Sequence, residues 1–272
     1  TLIYVPASTR LLLLSATIRN TNELASWLDS IRGVECAVVG SDERPVPLYP
    51  LFLYPDGQIG MLSGKKGLLR EVERCLEALG QRRGRRPPPP QYNEIIERLR
   101  RYKLLPAIFF LKSRAECDRA ITQFGPKRID PEEQAAFQRD LDECLERYPA
   151  LKDHRAMPYL VEGHVASHHA GHLPYWKVLV EQMMVKGHLD AIFATSTVAG
   201  GVDFPARTVA LSQSDRFDGK EFQDLSATDL QQMIGRAGRR GKDRVGFSLV
   251  IPRPFNNPKL IHQRLLSAPD AI

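Results

Sequence analysis

The chain has 272 residues, 43% of them apolar and 26% charged, with 38 Lys+Arg against 32 Asp+Glu. That length suits one large α/β domain or two modest ones with a sizeable core, and the apolar fraction excludes wholesale disorder. No apolar run approaches the ~18 residues of a membrane span. The four cysteines, at 36, 75, 117 and 144, form no C-x-x-C pair, so free thiols and a reducing, cytoplasmic setting are expected. The first residue is Thr1 and no leader pattern follows, which suggests an excised piece. The net charge of +6 lies in one place: residues 81–103 hold eight basic residues against two acids, and the remainder balances at 30 against 30. The same stretch carries four consecutive prolines at 87–90. These force an extended, exposed linker that divides the chain.

In chain order, the LLLL run predicts a buried strand over 10–16. A helix follows from Asn20 to Gly33, with Leu24, Leu28 and Ile31 at helical spacing. A short strand at 35–39 and an extended Arg44-Pro-Val-Pro-Leu48 lead to a hairpin, 51–54 with 58–62, around Asp56-Gly57. Helices are expected at 66–79 and 92–102, on either side of the prolines. Beyond them strands and helices alternate: strand 107–111, helix 114–124, and a helix opened by Asp130-Pro131 with Phe137, Leu141, Leu145 and Tyr148 on one face. Then come strand 164–167, helix 174–186, strands 191–194 and 208–211, helix 227–235 and strand 245–251. Such alternation means a parallel sheet covered by helices on both faces.

Four groups of residues carry chemistry. In Gln232-Met-Ile-Gly-Arg236-Ala-Gly-Arg239 the polar residues fall at i, i+4 and i+7, so one helix would align an amide and two guanidiniums. Gly235 and Gly238 each cost about 1 kcal/mol in a helix interior, which suggests that the backbone approaches something closely. Two forked cations there suit a polyphosphate; a solvated basic helix end is the alternative. Next, Thr195, Ser196 and Thr197 stand where a buried strand ends, the usual ligand position of open α/β sheets, and could bond phosphate oxygens. Gly200-Gly201 permit a tight turn, and Asp203 could accept a ribose hydroxyl. Third, Ser15 and Thr17 sit at the exit of the first strand, where capping is the commoner use. Fourth, His164, His168, His169 and His172 crowd nine residues. The region reads as strand then loop, with no carboxylate or Cys among residues 164–172, so no metal is expected there.

Taken in order, these groups resemble the motifs of superfamily 2 helicases, most closely the Superkiller-like DExH branch. Residues 14–17 resemble motif III, 109–114 (FFLKSR) motif IV, 168–171 (HHAG) the segment called IVa, 195–203 motif V and 232–239 motif VI. Arg44–Leu48 also resembles the extended stretch that follows the first RecA-like domain in this branch. The resemblance implies a P-loop NTPase-type fold, a RecA-like parallel sheet with helices on both faces. It divides the chain into a remnant of the first RecA-like domain (1–48), a connecting hairpin, helices and basic linker (49–103), the second RecA-like domain (104–255) and a C-terminal helix (256–272). It makes Arg236 and Arg239 the arginine fingers, and adds Gln232, Gly201 and Asp203 to the nucleotide cleft. It gives Ser113, Arg114, His169, Gly171, Thr195 and Thr197 to the nucleic-acid backbone, and Ser15 and Thr17 to coupling between lobes.

No G-x-x-x-x-G-K-[ST] loop and no DExH box occur. The expectation is therefore the second motor lobe of an ATP-dependent helicase. ATP and Mg²⁺ would be held mainly by a first RecA-like domain outside this sequence, and the isolated piece would be inactive. Single-stranded nucleic acid is the expected partner, RNA favoured over DNA. The rival readings are a non-catalytic RecA-like binding module, a DNA helicase of the same superfamily, and a metal-dependent hydrolase built on the histidines.

Overall fold

The computed structural model describes residues 4–270 apart from 7, 16, 17, 42, 82–90, 197–205, 218, 219, 254, 255 and 269. The sheet is built around Ala107–Leu111 (β5), an AIFFL segment buried at every position. A strand apolar on both faces belongs in the middle of a helix-covered parallel sheet. Its neighbours are Ala191–Thr195 (β7) and Thr208–Leu211 (β8), both parallel to it, with Phe109 opposite Phe193 on one side and Ala210 on the other. Val165–His168 (β6) lies outside β7, and Gly246–Val250 (β11) outside β8. Leu48–Leu53 (β1) pairs in parallel with β11 and folds back through a turn at Asp56-Gly57 into Ile59–Met61 (β2), the expected hairpin. The order is β2-β1-β11-β8-β5-β7-β6.

The helices follow from local signals. Tyr92–Arg101 (α3) buries Tyr92, Ile95, Ile96 and Leu99, the stripe that an i, i+3, i+4, i+7 pattern dictates. Tyr92 meets Phe193 edge-on at 5.1 Å, and Phe193 stacks on Phe109 at 5.0 Å. Ser113 caps Arg114–Ile121 (α4), and Asp130 caps Pro131–Arg147 (α5), its carboxylate accepting from Glu132 N at 2.9 Å. Pro174–Lys186 (α7) seats Trp176 in the core, and a Ser226–Asp229 capping box opens Ala227–Ile234 (α8). Thr21–Arg32 (α1) and Arg70–Gln81 (α2) precede the linker, and Pro258–Leu266 (α9) closes the chain's described part. None of the described helices is long and apolar enough to cross a membrane.

Two expected strands do not form. Among the described residues of 10–16 the chain is irregular, and Leu12 and Leu14 are each 83% exposed. Residues 35–39 are likewise unpaired, with Val39 exposed. The apolar run reads as a buried strand, but such a strand needs neighbours to take its N–H and C=O groups, and no described strand lies beside either segment.

Candidate nucleic-acid and nucleotide interface

Because β5, β6 and β7 are parallel, the loops leaving them emerge along one edge. Leu111 is in register with Thr195 and His168 with Ala194, so the turns at Lys112–Arg114, His169–Gly171 and Thr195 sit side by side. Neighbouring strands lie about 4.8 Å apart. Sequence segments dozens of residues apart thus become one surface. Ser113 spends an Oγ lone pair on Glu116 N, 3.2 Å away, to cap α4, and its O–H remains a donor. Arg114 is exposed, and its Cδ lies 3.3 Å from where a Cβ on Gly171 would stand. The glycine lets the arginine stem lie flat across the loop. Lys112 is committed to protein contacts: Nζ sits 2.7 Å from Asp215 and 3.8 Å above the Phe222 ring. Thr195 is half-buried at the end of β7. Thr17, Thr197, Gly201 and Asp203 lie outside the described residues, and Ser15 lies in the exposed stretch before α1.

The histidine run is organised by a residue the sequence does not place near it. Asp118, on α4, accepts from His169 Nε2 at 3.0 Å and from Ser167 Oγ at 2.9 Å. His172 Nε2 contacts Ser167 Oγ at 2.9 Å, and its ring stacks on His169 at 3.9 Å. His168 faces the other way, to Glu181 of α7 at 2.9 Å. The expectation of no nearby carboxylate is therefore corrected: the fold supplies one, 51 residues upstream of His169. Donor atoms of Asp118, His169 and His172 lie within 4.8 Å of one another, close enough to invite a metal ion. The hydrogen bonds decide the chemistry. Gly171 N donates to His169 Nδ1 at 3.1 Å, so the ring proton sits on Nε2, where it points at Asp118. That nitrogen has no lone pair to offer a cation. Burial raises the Asp118 carboxyl, but the bonds from His169 and Ser167 and the charges of His169 and Arg155 outweigh it and hold the group below its ordinary value. Burial, followed by the neighbouring His169, pushes His172 down to about 3. The cluster is a hydrogen-bonded network around a single carboxylate that fixes the loop. His169 is 2% exposed, so the face this loop turns outward is backbone, Gly171 and Arg114.

At the opposite edge, where β8 and β11 begin, α8 carries Gln232 on its last turn and stops at Ile234. One helical face through Gln232, Arg236 and Arg239 is not formed. Gly238 takes φ +86°, and Ala237 bridges in parallel to Ala206, just before β8. The glycines thin the backbone for a different reason than a phosphate. A Cβ on Gly238 would stand 2.6 Å from Val46 Cγ1, and one on Gly246 would stand 2.6 Å from Gly238 N. The close approach is of protein to protein. Arg239 forks onto Asp243, Nε to Oδ2 at 2.8 Å and Nη2 to Oδ1 at 2.9 Å, while its own N–H donates to Oδ2 at 2.9 Å. Burial raises Asp243, yet these bonds and the charges of Arg239 and Arg207 bring it below the ordinary carboxylate value. Arg236 is half-exposed on the same turn. Arg44 reaches in from 190 residues upstream, its Nη2 donating to Ile234 O at 2.9 Å and Ala237 O at 2.6 Å.

Sequence reasoning missed Asp118, Asp243 and Arg44. Asp243 had a signal, an acid four residues after an arginine. Arg44 was marked only as part of the extended Arg44–Leu48 stretch, without its partners, and Asp118 had no signal, since each acts on residues far along the chain.

No protein-family model matches the chain. It is 35% identical over 286 residues to the probable helicase HelY of Mycobacterium tuberculosis, covering 94% of this chain and 31% of HelY. It is 31% identical to the chloroplastic DExH-box ATP-dependent RNA helicase DExH15 of Arabidopsis thaliana, over 93% of this chain and 25% of that protein. With the human exosome RNA helicase MTR4 it shares 29% identity over its full length and 28% of MTR4. The chain spans less than a third of the length of these relatives. Along nearly all of its residues, and on a RecA-like sheet, the chain is thus similar to helicases of the DExH type, as a fragment of a Superkiller-like superfamily 2 helicase would be.

Proposed function

We propose that the chain is the second motor lobe of an ATP-dependent RNA helicase and works at both edges of its sheet. The observation that carries this reading is the register of β5, β6 and β7, which gathers Ser113, Arg114, Gly171 and Thr195 on one edge. Backbone-directed groups of that kind grip a single strand without reading its sequence. Thr197 extends the same grip, and His169 holds the loop from beneath. At the other edge the turn bearing Arg236 and Arg239, with Gln232 before it, would face the nucleotide cleft, to which the resemblance also assigns Gly201 and Asp203, outside the described residues. The turn fits phosphates through the half-exposed Arg236, while Arg239 is forked onto Asp243, whose side chain is 2% exposed. Among the described residues the turn's nearby carboxylate is thus taken, and Mg²⁺, like most contacts to ATP, would fall to a first RecA-like domain. ATP supplies the phosphoryl group whose charge the arginines would neutralise as it leaves. Here the chain's own part is to bring cations to the phosphates on closure and to hold the strand at the far edge. Strands of four or five residues separate the two functions by roughly 13–17 Å, so both ride on one rigid body. Ser15 and Thr17 would couple this lobe to the first, against which the exposed Leu12 and Leu14 would pack. The free thiols, two of them buried, support a reducing cytoplasmic setting.

The test is ATP turnover by the intact protein, with and without single-stranded RNA. Arg236→Ala should abolish RNA-stimulated hydrolysis while RNA affinity holds. Unchanged turnover would refute the finger assignment, and a preference for single-stranded DNA in the same assay would refute the choice of RNA.

A further inference from the structure

The path from the first-lobe residues into this lobe passes directly against the arginine turn. Ile234 is the last residue of α8, and its carbonyl, which accepts from Ala237 N at 3.0 Å, keeps a second lone pair to offer. Arg44 satisfies it, together with Ala237 O, while Arg44 Nε donates to Val46 O at 2.8 Å. A cation is favoured at a helix C-terminus, and three acceptors in different directions require a planar fork that lysine lacks. Burial draws the Arg44 pKa below its ordinary value without neutralising a guanidinium. Two residues on, the buried Val46 occupies the space that Gly238 leaves by having no Cβ. Pro47 O then accepts from Gly246 N at 2.8 Å, locking the incoming chain to β11. The turn from Arg236 to Arg239 is therefore held at one end by Arg44 and at the other by Val46. The family resemblance marks Arg44–Leu48 as an extended stretch and gives neither side chain a role.

We propose that Arg44 is a positioning residue for the arginine turn, so that the segment joining the two lobes also sets where this lobe presents Arg236 and Arg239. The inference rests on the reading of that turn as the nucleotide-facing element. Movement of one lobe against the other pulls on the residues before Arg44, and the guanidinium carries that displacement to the carbonyls on which the turn hangs.

The experiment uses the intact protein with Arg44→Met and Arg44→Lys. It reads RNA-stimulated ATP turnover, KM for ATP, affinity for an oligouridine strand, and amide hydrogen exchange by peptide. Arg44→Met should speed exchange in peptides covering 234–240 while those from β5 and β7 stay protected. Turnover should fall by about 10²-fold, the scale of a misplacement near 1 Å, with oligouridine affinity unchanged. Arg44→Lys, keeping the charge but not the fork, should fall between. Unchanged exchange at 234–240 overturns the proposal, whatever the turnover. So does wild-type turnover with a loosened turn, and so does exchange rising throughout the sheet in both variants. Retained turnover in Arg236→Ala would instead remove the finger assignment and leave the exchange result standing.

Discussion

Asp118 and Asp243 show how much one carboxylate can organise. Each is depressed below its ordinary value despite burial, because hydrogen bonds to the charged form outweigh desolvation. Around Asp118 the same network orients the rings of His169 and His172, and His172 produces a pH dependence. His172 has a folded pKa of about 3 against an ordinary 6.5, so the unfolded chain takes up a proton that the folded one refuses. Its contribution to stability is complete above about 6.5 and is lost as pH falls towards 3. Asp118 adds a loss in the same direction, below the ordinary carboxylate range. His154, His164 and His168 are lowered too, chiefly by burial. Melting temperature should therefore drop steadily between pH 6.5 and 4.5, each such histidine contributing at most about 1.4 kcal/mol per pH unit. His172→Gln should flatten that slope, and an unaltered slope would remove His172 from the account. Gly238 makes a second residue-level case. Its φ of +86° and the Cβ clash with Val46 act together. Gly241 has φ +76° with open space around it. Alanine at either position incurs backbone strain of about 1–3 kcal/mol, but only Gly238→Ala should also displace the turn. Denaturant titration of the two variants should show the larger loss at Gly238, and equal losses would refute the packing argument.

At the scale of elements, what sequence made legible was what period and punctuation control. The hairpin at Asp56-Gly57, the Asp130-Pro131 start of α5 and the AIFFL strand were readable because turn chemistry, capping and burial on both faces leave local marks. The strand expected over 10–16 failed because a run of leucines specifies burial, not a partner. The helix expected over 227–235 forms as α8, but the alignment of Gln232, Arg236 and Arg239 on one helical face failed because the chain turns after Ile234, held by Gly238 and by Arg44, whose approach no local pattern records. Equally invisible was the pairing of Leu48–Phe52 with Gly246–Val250. That pairing bears on where the second lobe begins. Phe52 is fully buried, and β1 shields the edge of β11 that would otherwise present open N–H and C=O groups. A chain starting at residue 104 should aggregate or unfold, whereas one starting at 43 should be monomeric and fold cooperatively. Size exclusion and thermal unfolding of the two would decide. A well-folded, monomeric 104–272 chain would make β1 an accessory and not a member of the lobe.

For the whole molecule, the question is what the basic surplus does. Part of the +6 of residues 81–103 lies on α3, where Arg98 and Arg101 join Lys127 and Arg128 around a cavity of about 930 Å³. Arg100 and Lys127 both close on Asp190, at 2.6 Å each, just before β7. Asp190 O accepts from Ala107 N, so this basic wall stands at the edge where β5 and β7 begin. The strand-gripping loops stand where they end. The described part of the surplus, on α3, and the grip are thus separated by the length of the sheet. Net charge gives long-range attraction, but only neutralised phosphates set the salt dependence of binding. Arg114, lying over Gly171 among the gripping loops, is a candidate for such a contact; Arg98, lying over Gly57, is not. In the intact protein, Arg114→Ala should weaken single-stranded RNA binding and reduce the slope of log affinity against log salt by about 1. Arg98→Ala and Arg101→Ala should leave that slope unchanged. A slope lowered by the α3 variants and not by Arg114→Ala would move the RNA path to the basic wall, and the register of β5, β6 and β7 would cease to explain the grip.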